Sequence, residues 1–151
     1  MVSQMISVNV TLSARGRTFS PKKAGAELGI DLTLKGHEPR ALGSTGKYKG
    51  RPVPWGKANL ELPWPPVGVE CSGSPDEFDT LTQLPASLNL LRSLEVVPTL
   101  RRFGATDIIL WVIVEYRDQC NMELSPALLA ALAGLGVPVA ISCYLMDGED
   151  G

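Results

Sequence analysis

The chain has 151 residues, 44% of them hydrophobic and 20% charged, with a formal net charge of −2. That length builds a core without staples, and that composition excludes wholesale disorder. No apolar run approaches the roughly 18 residues of a membrane span, and Cys71, Cys120 and Cys143 are too widely spaced for a disulfide scaffold or a zinc site.

The N-terminus has no basic leader ahead of an apolar run, which points to a cytoplasmic protein. Ile6, Val8, Val10 and Leu12 alternate with Ser7, Asn9, Thr11 and Ser13, the pattern of a half-buried strand. Arg15-Gly16-Arg17 turns it. Phe19-Ser20-Pro21 then opens a helix, with Ser20 as N-cap and Pro21 at the first helical position, and Leu28-Gly29 closes it. Residues 35–57 form a basic loop punctuated by glycine, expected to be mobile, and a strand follows around Trp55 to Leu62. The proline-rich segment 63–75 reads as extended and irregular, since proline lacks the ladder N–H.

Ser74-Pro75 opens another helix, continued at helical spacing by Leu81, Leu84, Leu88 and Leu91, with a kink or break expected at Pro85. Val97-Pro98 to Phe103-Gly104 reads as a short helix. Thr106 to Tyr116 is apolar on both faces and reads as a central, doubly covered strand with Trp111 in the core. Leu124-Ser125-Pro126 to Leu135-Gly136-Val137 then repeats the first Ser-Pro phrase, with Leu124 and Leu129 at the positions of a hydrophobic staple. Val137 to Met146 closes the sheet, with Cys143 read as a small core residue, and the acidic tail 147–151 is expected to fray.

Two strand-helix units of this kind predict one α+β domain over 1–151. The expected sheet is ferredoxin-like or related, with about four to five mainly antiparallel strands and helices on one face.

Chemistry is sparser. Gly43-Ser44-Thr45-Gly46-Lys47 fails as a phosphate loop, because Ala41 and Tyr48 stand where glycine and a hydroxyl residue are needed. His37 is the one histidine, which leaves no histidine-based metal site and no catalytic constellation; an enzyme and a cofactor are not expected. Charge is unevenly distributed: residues 1–57 hold ten of the fourteen Lys and Arg against three acids, and residues 58–151 hold four against thirteen. Two faces with different partners produce such a split, although an evenly mixed surface is the expectation for one folded domain.

Several short phrases, taken in order, resemble one family. They are Phe19-Ser20-Pro21 with Leu28-Gly29, Lys35-Gly36-His37-Glu38-Pro39-Arg40, Gly50-Arg51-Pro52 ahead of Trp55, and Leu124-Ser125-Pro126-Ala127-Leu128-Leu129 with Leu135-Gly136. Together they resemble the bacterial domain-of-unknown-function family 4279 over residues 5–146. The resemblance carries over no catalytic residue and implies a partner-binding role, in its concrete version immunity against a cognate toxin. On that reading Glu70, Asp76, Glu77 and Asp79, with Trp64 as anchor, occlude a basic active site. The alternative is an anionic small molecule or nucleic acid held by Lys35, His37, Arg40, Lys47, Lys49, Arg51 and Trp55. A protein partner is the leading expectation, ahead of nucleic acid, and no membrane is expected.

Overall fold

The computed structural model describes residues 5–64 and 77–146. Along the chain run β1 (Met5–Gly16), α1 (Pro21–Leu28), a 3-10 turn (Gly46–Tyr48), β2 (Gly56–Leu62) and α2 (Glu77–Ser93). Then follow α3 (Val96–Arg102), β3 (Asp107–Tyr116), α4 (Pro126–Leu135) and β4 (Val139–Leu145). The class is α+β, with four helices and a four-stranded mixed sheet in the order β2-β1-β3-β4 among the described residues. β3 and β4 are parallel, from Leu110 opposite Val139 to Tyr116 opposite Leu145. The helix between them carries the chain back to run in the same direction.

The two Ser-Pro phrases repeat down to their caps. The hydroxyls of Ser20 and Ser125 accept from the backbone N–H groups of Lys23 and Leu128 at 3.2 and 3.1 Å. Gly29 and Gly136 close α1 and α4 in the left-handed conformation, at φ 72° and 74°. A residue with a β-carbon adopts that conformation only at a cost.

Packing divides into two compact units. The first comprises Met1–Thr11, Glu61–Leu90 and Leu110–Gly151. Val8, Val10, Leu84, Leu88, Leu110, Val114 and Leu128 are buried in it. The second comprises Leu12–Leu60 and Leu91–Ile109, with Leu12, Phe19, Ala24, Leu91, Val96 and Leu100 buried. Within the second, α1 packs on α3. The Ser20 N–H donates to the Phe103 carbonyl at 3.1 Å, and the Thr106 N–H to the Arg15 carbonyl at 2.9 Å.

Four expectations are corrected. α2 is one helix that runs through Pro85, not two short ones. A proline inside a helix costs about 3 kcal/mol, and burial of Leu84, Leu88 and Leu91 outweighs it at roughly 1.5–3 kcal/mol each. β3 is buried on alternate residues only, Ile108, Leu110, Val112 and Val114, and Trp111 on the opposite face is 37% exposed. The equivalent positions of β1, Ser7, Asn9, Thr11 and Ser13, are polar, so that face of the sheet stays open. Cys143 is exposed, because β4 is an edge strand with no fully buried residue. Leu129 is likewise exposed, and α4 buries Leu128, Ala131 and Leu135 instead.

Replacing Gly29 or Gly136 by alanine lowers stability by about 1 kcal/mol, since nothing lies near the added methyl and only the backbone conformation resists it. Gly25→Ala costs more, because its β-carbon would stand 2.4 Å from the carbonyl oxygen of Ile30. Urea unfolding of the three variants checks that order.

Candidate functional site

The loop between α1 and β2 is folded as a ladder of backbone hydrogen bonds. His37 and Lys57 exchange both backbone hydrogen bonds at 2.9 Å, Arg40 N–H donates to the Val53 carbonyl at 2.6 Å, and Val53 N–H donates to that of Ala41 at 2.8 Å. Further out, Gly43 N–H donates to the Arg51 carbonyl and Gly50 N–H to that of Gly43, both at 2.9 Å. Backbone polar groups paired in this way need neither water nor a ligand to satisfy them, which holds the loop without a ligand. Arg40 is kept at φ 68°, an uncommon conformation for a residue with a side chain.

Glu38 ties this ladder to α1. One carboxylate oxygen accepts from the Ser20 hydroxyl at 2.7 Å and the other from the Lys22 backbone N–H at 2.8 Å. A carboxylate at a helix N-terminus satisfies an orphan donor and meets the positive end of the helix dipole. The carboxylate next to His37 in sequence is therefore occupied at α1. The histidine's own Nδ1 lies 3.3 Å from the Glu38 carbonyl oxygen.

Four side chains then line up on the second unit. The Arg15 guanidinium sits 5.1 Å from the centre of the Trp55 ring. Trp55 meets Tyr48 edge-to-face at 5.4 Å and 84°. The Lys47 ammonium sits 5.5 Å from the centre of the Tyr48 ring. Both rings are half-buried and both cations are exposed. A ring face holds a cation in place without neutralising it, whereas a carboxylate partner would cancel the charge. Among the described residues, Arg102 and Glu27 form an ion pair at 3.5 Å, remote in sequence from this row.

The surrounding charge is predominantly positive. The second unit carries thirteen Lys and Arg against five acids. The described residues of the first carry one base, Arg117, against six acids. The charge asymmetry visible along the sequence thus persists in the fold, where Arg92, Arg101 and Arg102 join the basic unit together with Glu95 and Asp107.

Of the basic-loop candidates, Lys47 and Trp55 join the row directly. Lys49 and Arg51 are exposed on the same outer ladder. Lys35 is exposed, and its carbonyl accepts from the Asn59 side chain at 3.1 Å. Arg40 is exposed, and His37 is half-buried beside β2. Arg15 was missed by the reading of the loop alone; its signal is the alternation of β1, which turns Ser13 and Arg15 to the open face.

Of the acidic candidates, Glu70 and Asp76 lie outside the described residues. Glu77 and Asp79 open α2. Trp64 is half-buried, with its backbone pinned to the Ser87 hydroxyl, which accepts from its N–H at 2.7 Å and donates to its carbonyl at 2.9 Å. Among the described residues, no three His, Cys, Asp or Glu side chains gather as a metal site requires. Nor is any described helix long and apolar enough to cross a membrane. No known protein family, curated protein or solved structure matches this chain.

Removing the Glu38 carboxylate unties the loop from α1. Glu38→Ala lowers stability by about 1–2 kcal/mol, and hydrogen exchange at the Lys22 amide accelerates in that variant. Asp31 makes a second, pH-dependent contribution. Hydrogen bonds from the Thr33 hydroxyl and backbone N–H hold its carboxyl below the usual 3.8. This stabilisation is fully present above pH 3.8 and is lost as pH falls through the lower folded value. An NMR titration of the Asp31 carboxyl, with Asp31→Asn as control for the acid limb of stability, checks it.

Proposed function

We propose that this protein is a binding domain that holds a phosphate-bearing ligand on the basic, aromatic-centred surface of its second unit. The observation that supports this is the row Arg15–Trp55–Tyr48–Lys47 in a unit of thirteen bases and five acids. The rings position the two outer cations ahead of binding. Less side-chain entropy is then lost when an oxyanion arrives, and the full charge is still available to it. Lys49 and Arg51, exposed on the same ladder, supply further cations for a ligand with several negative oxygens. A folded loop suits this role better than a mobile one, because its ordering is complete before the ligand binds.

Phosphate oxygens reach such a surface from a small molecule or from a nucleic-acid backbone. The toxin-immunity version implied by the family resemblance places its contacts on the acidic unit, and two of its acids, Glu70 and Asp76, lie outside the described residues.

Titration with inorganic pyrophosphate and with a labelled single-stranded oligonucleotide, read by tryptophan fluorescence and by anisotropy, tests the proposal. Binding of either probe weakens by at least roughly tenfold, about 1.4 kcal/mol, in the triple variant Lys47→Ala, Lys49→Ala, Arg51→Ala. Arg15→Ala weakens it several-fold, and affinity falls as salt rises. Pyrophosphate binding alone identifies a small-molecule site, and oligonucleotide binding alone identifies the polymer. Binding of neither probe, or affinities unchanged in these variants, overturns the proposal.

A further inference from the structure

Cys120 lies in the segment between β3 and α4, and Cys143 lies on the edge strand β4, opposite Val114 of β3. Their sulfurs are 3.5 Å apart, although 23 residues separate them in sequence. Both are free thiols, Cys120 half-buried and Cys143 exposed. The exposure of Cys143 follows from the edge position of β4, which leaves its side chains uncovered. A disulfide needs its sulfurs at ~2.05 Å. Rotation of the two side chains, at least one of them in solvent, would have to close the remaining gap.

We propose that Cys120 and Cys143 are an oxidisable dithiol, converted by a low-molecular-weight disulfide into an intramolecular disulfide that ties the β3–α4 segment to the sheet edge. The balance of the reaction is complete. The Cys143 thiolate attacks one sulfur of the small disulfide, forming a mixed disulfide and releasing the first small thiol. The Cys120 sulfur then attacks the Cys143 sulfur, and its proton leaves with the second small thiol. The protein loses two protons and two electrons, and the small disulfide takes them up to become two thiols.

The two sulfurs differ in their readiness to begin. Partial burial, and then the hydrogen bond and charge of the neighbouring Cys143, push the Cys120 thiol up from its ordinary range. This disfavours the Cys120 thiolate, and the exposed Cys143 is the sulfur that an external disulfide meets first. The product closes a loop around α4, which removes conformational freedom from the unfolded chain. It also withdraws from the sheet edge the one thiol able to cross-link two copies through that edge.

The test is incubation of the native protein with glutathione disulfide, followed by thiol titration in denaturant and peptide mass spectrometry without reduction. The chain has three cysteines, so the titre falls from three to one and the monomer loses the mass of two hydrogens. One peptide pair joins Cys120 to Cys143. In the Cys71→Ser variant the titre falls to zero, and in Cys120→Ser a mixed disulfide with glutathione persists on Cys143. Oxidation also shifts the urea midpoint upward, and a reductant reverses the shift. Thiols that all still titrate, a cross-link to Cys71, or a disulfide between two chains overturns the proposal.

Discussion

The carboxylate of Glu38 is the contact on which the basic surface depends. It closes the N-terminus of α1 by accepting from Ser20 and Lys22, and it stands one residue from His37, where the backbone ladder with Lys57 begins. The helix start and the loop that follows the helix are therefore fixed by one side chain. From that anchor the ladder runs outward through Val53 and Gly43 to the turn at Gly46–Tyr48, which carries Lys47 and Tyr48 to Trp55. The donors at the start of α1, which would otherwise attract an external anion, are already satisfied from within.

The use of aromatic rings to hold cations decides what this surface can do. Arg15 and Lys47 rest against Trp55 and Tyr48 and keep their charge. In a chain of net charge −2, a unit with thirteen bases and five acids is a local field that total composition conceals. Multivalent oxyanions gain from such a field through several short contacts at once, and rising salt weakens it.

The sheet makes a different arrangement at β4. An edge strand without a charged residue is unusual, since charge and proline are the common means of blunting an edge. Val139, Ile141 and Leu145 are exposed on it, together with Cys143. The neighbouring Cys120 gives that edge thiol an intramolecular partner.

Local structure was legible in the sequence wherever a residue acts through its own backbone or its near neighbours. Ser20-Pro21 and Ser125-Pro126 specified two helix starts, Gly29 and Gly136 two stops, and the period-two pattern of Val8, Val10 and Leu12 one half-buried strand. Caps, left-handed stops and alternation are short-range effects, so sequence alone determined the α+β class and the repeated strand-helix unit. Tertiary structure decided the rest. Nothing in local pattern tells whether the second face of β3 is covered, and Trp111 lies open because the sheet buries only one side. Nothing in spacing brings Glu38 to Ser20, Arg15 to Trp55 or Cys120 to Cys143, since each pair meets across a turn of the fold. The physical reason is range: dihedral preferences and caps act within a few residues, whereas charge, stacking and thiol proximity depend on distances that only the packed chain sets.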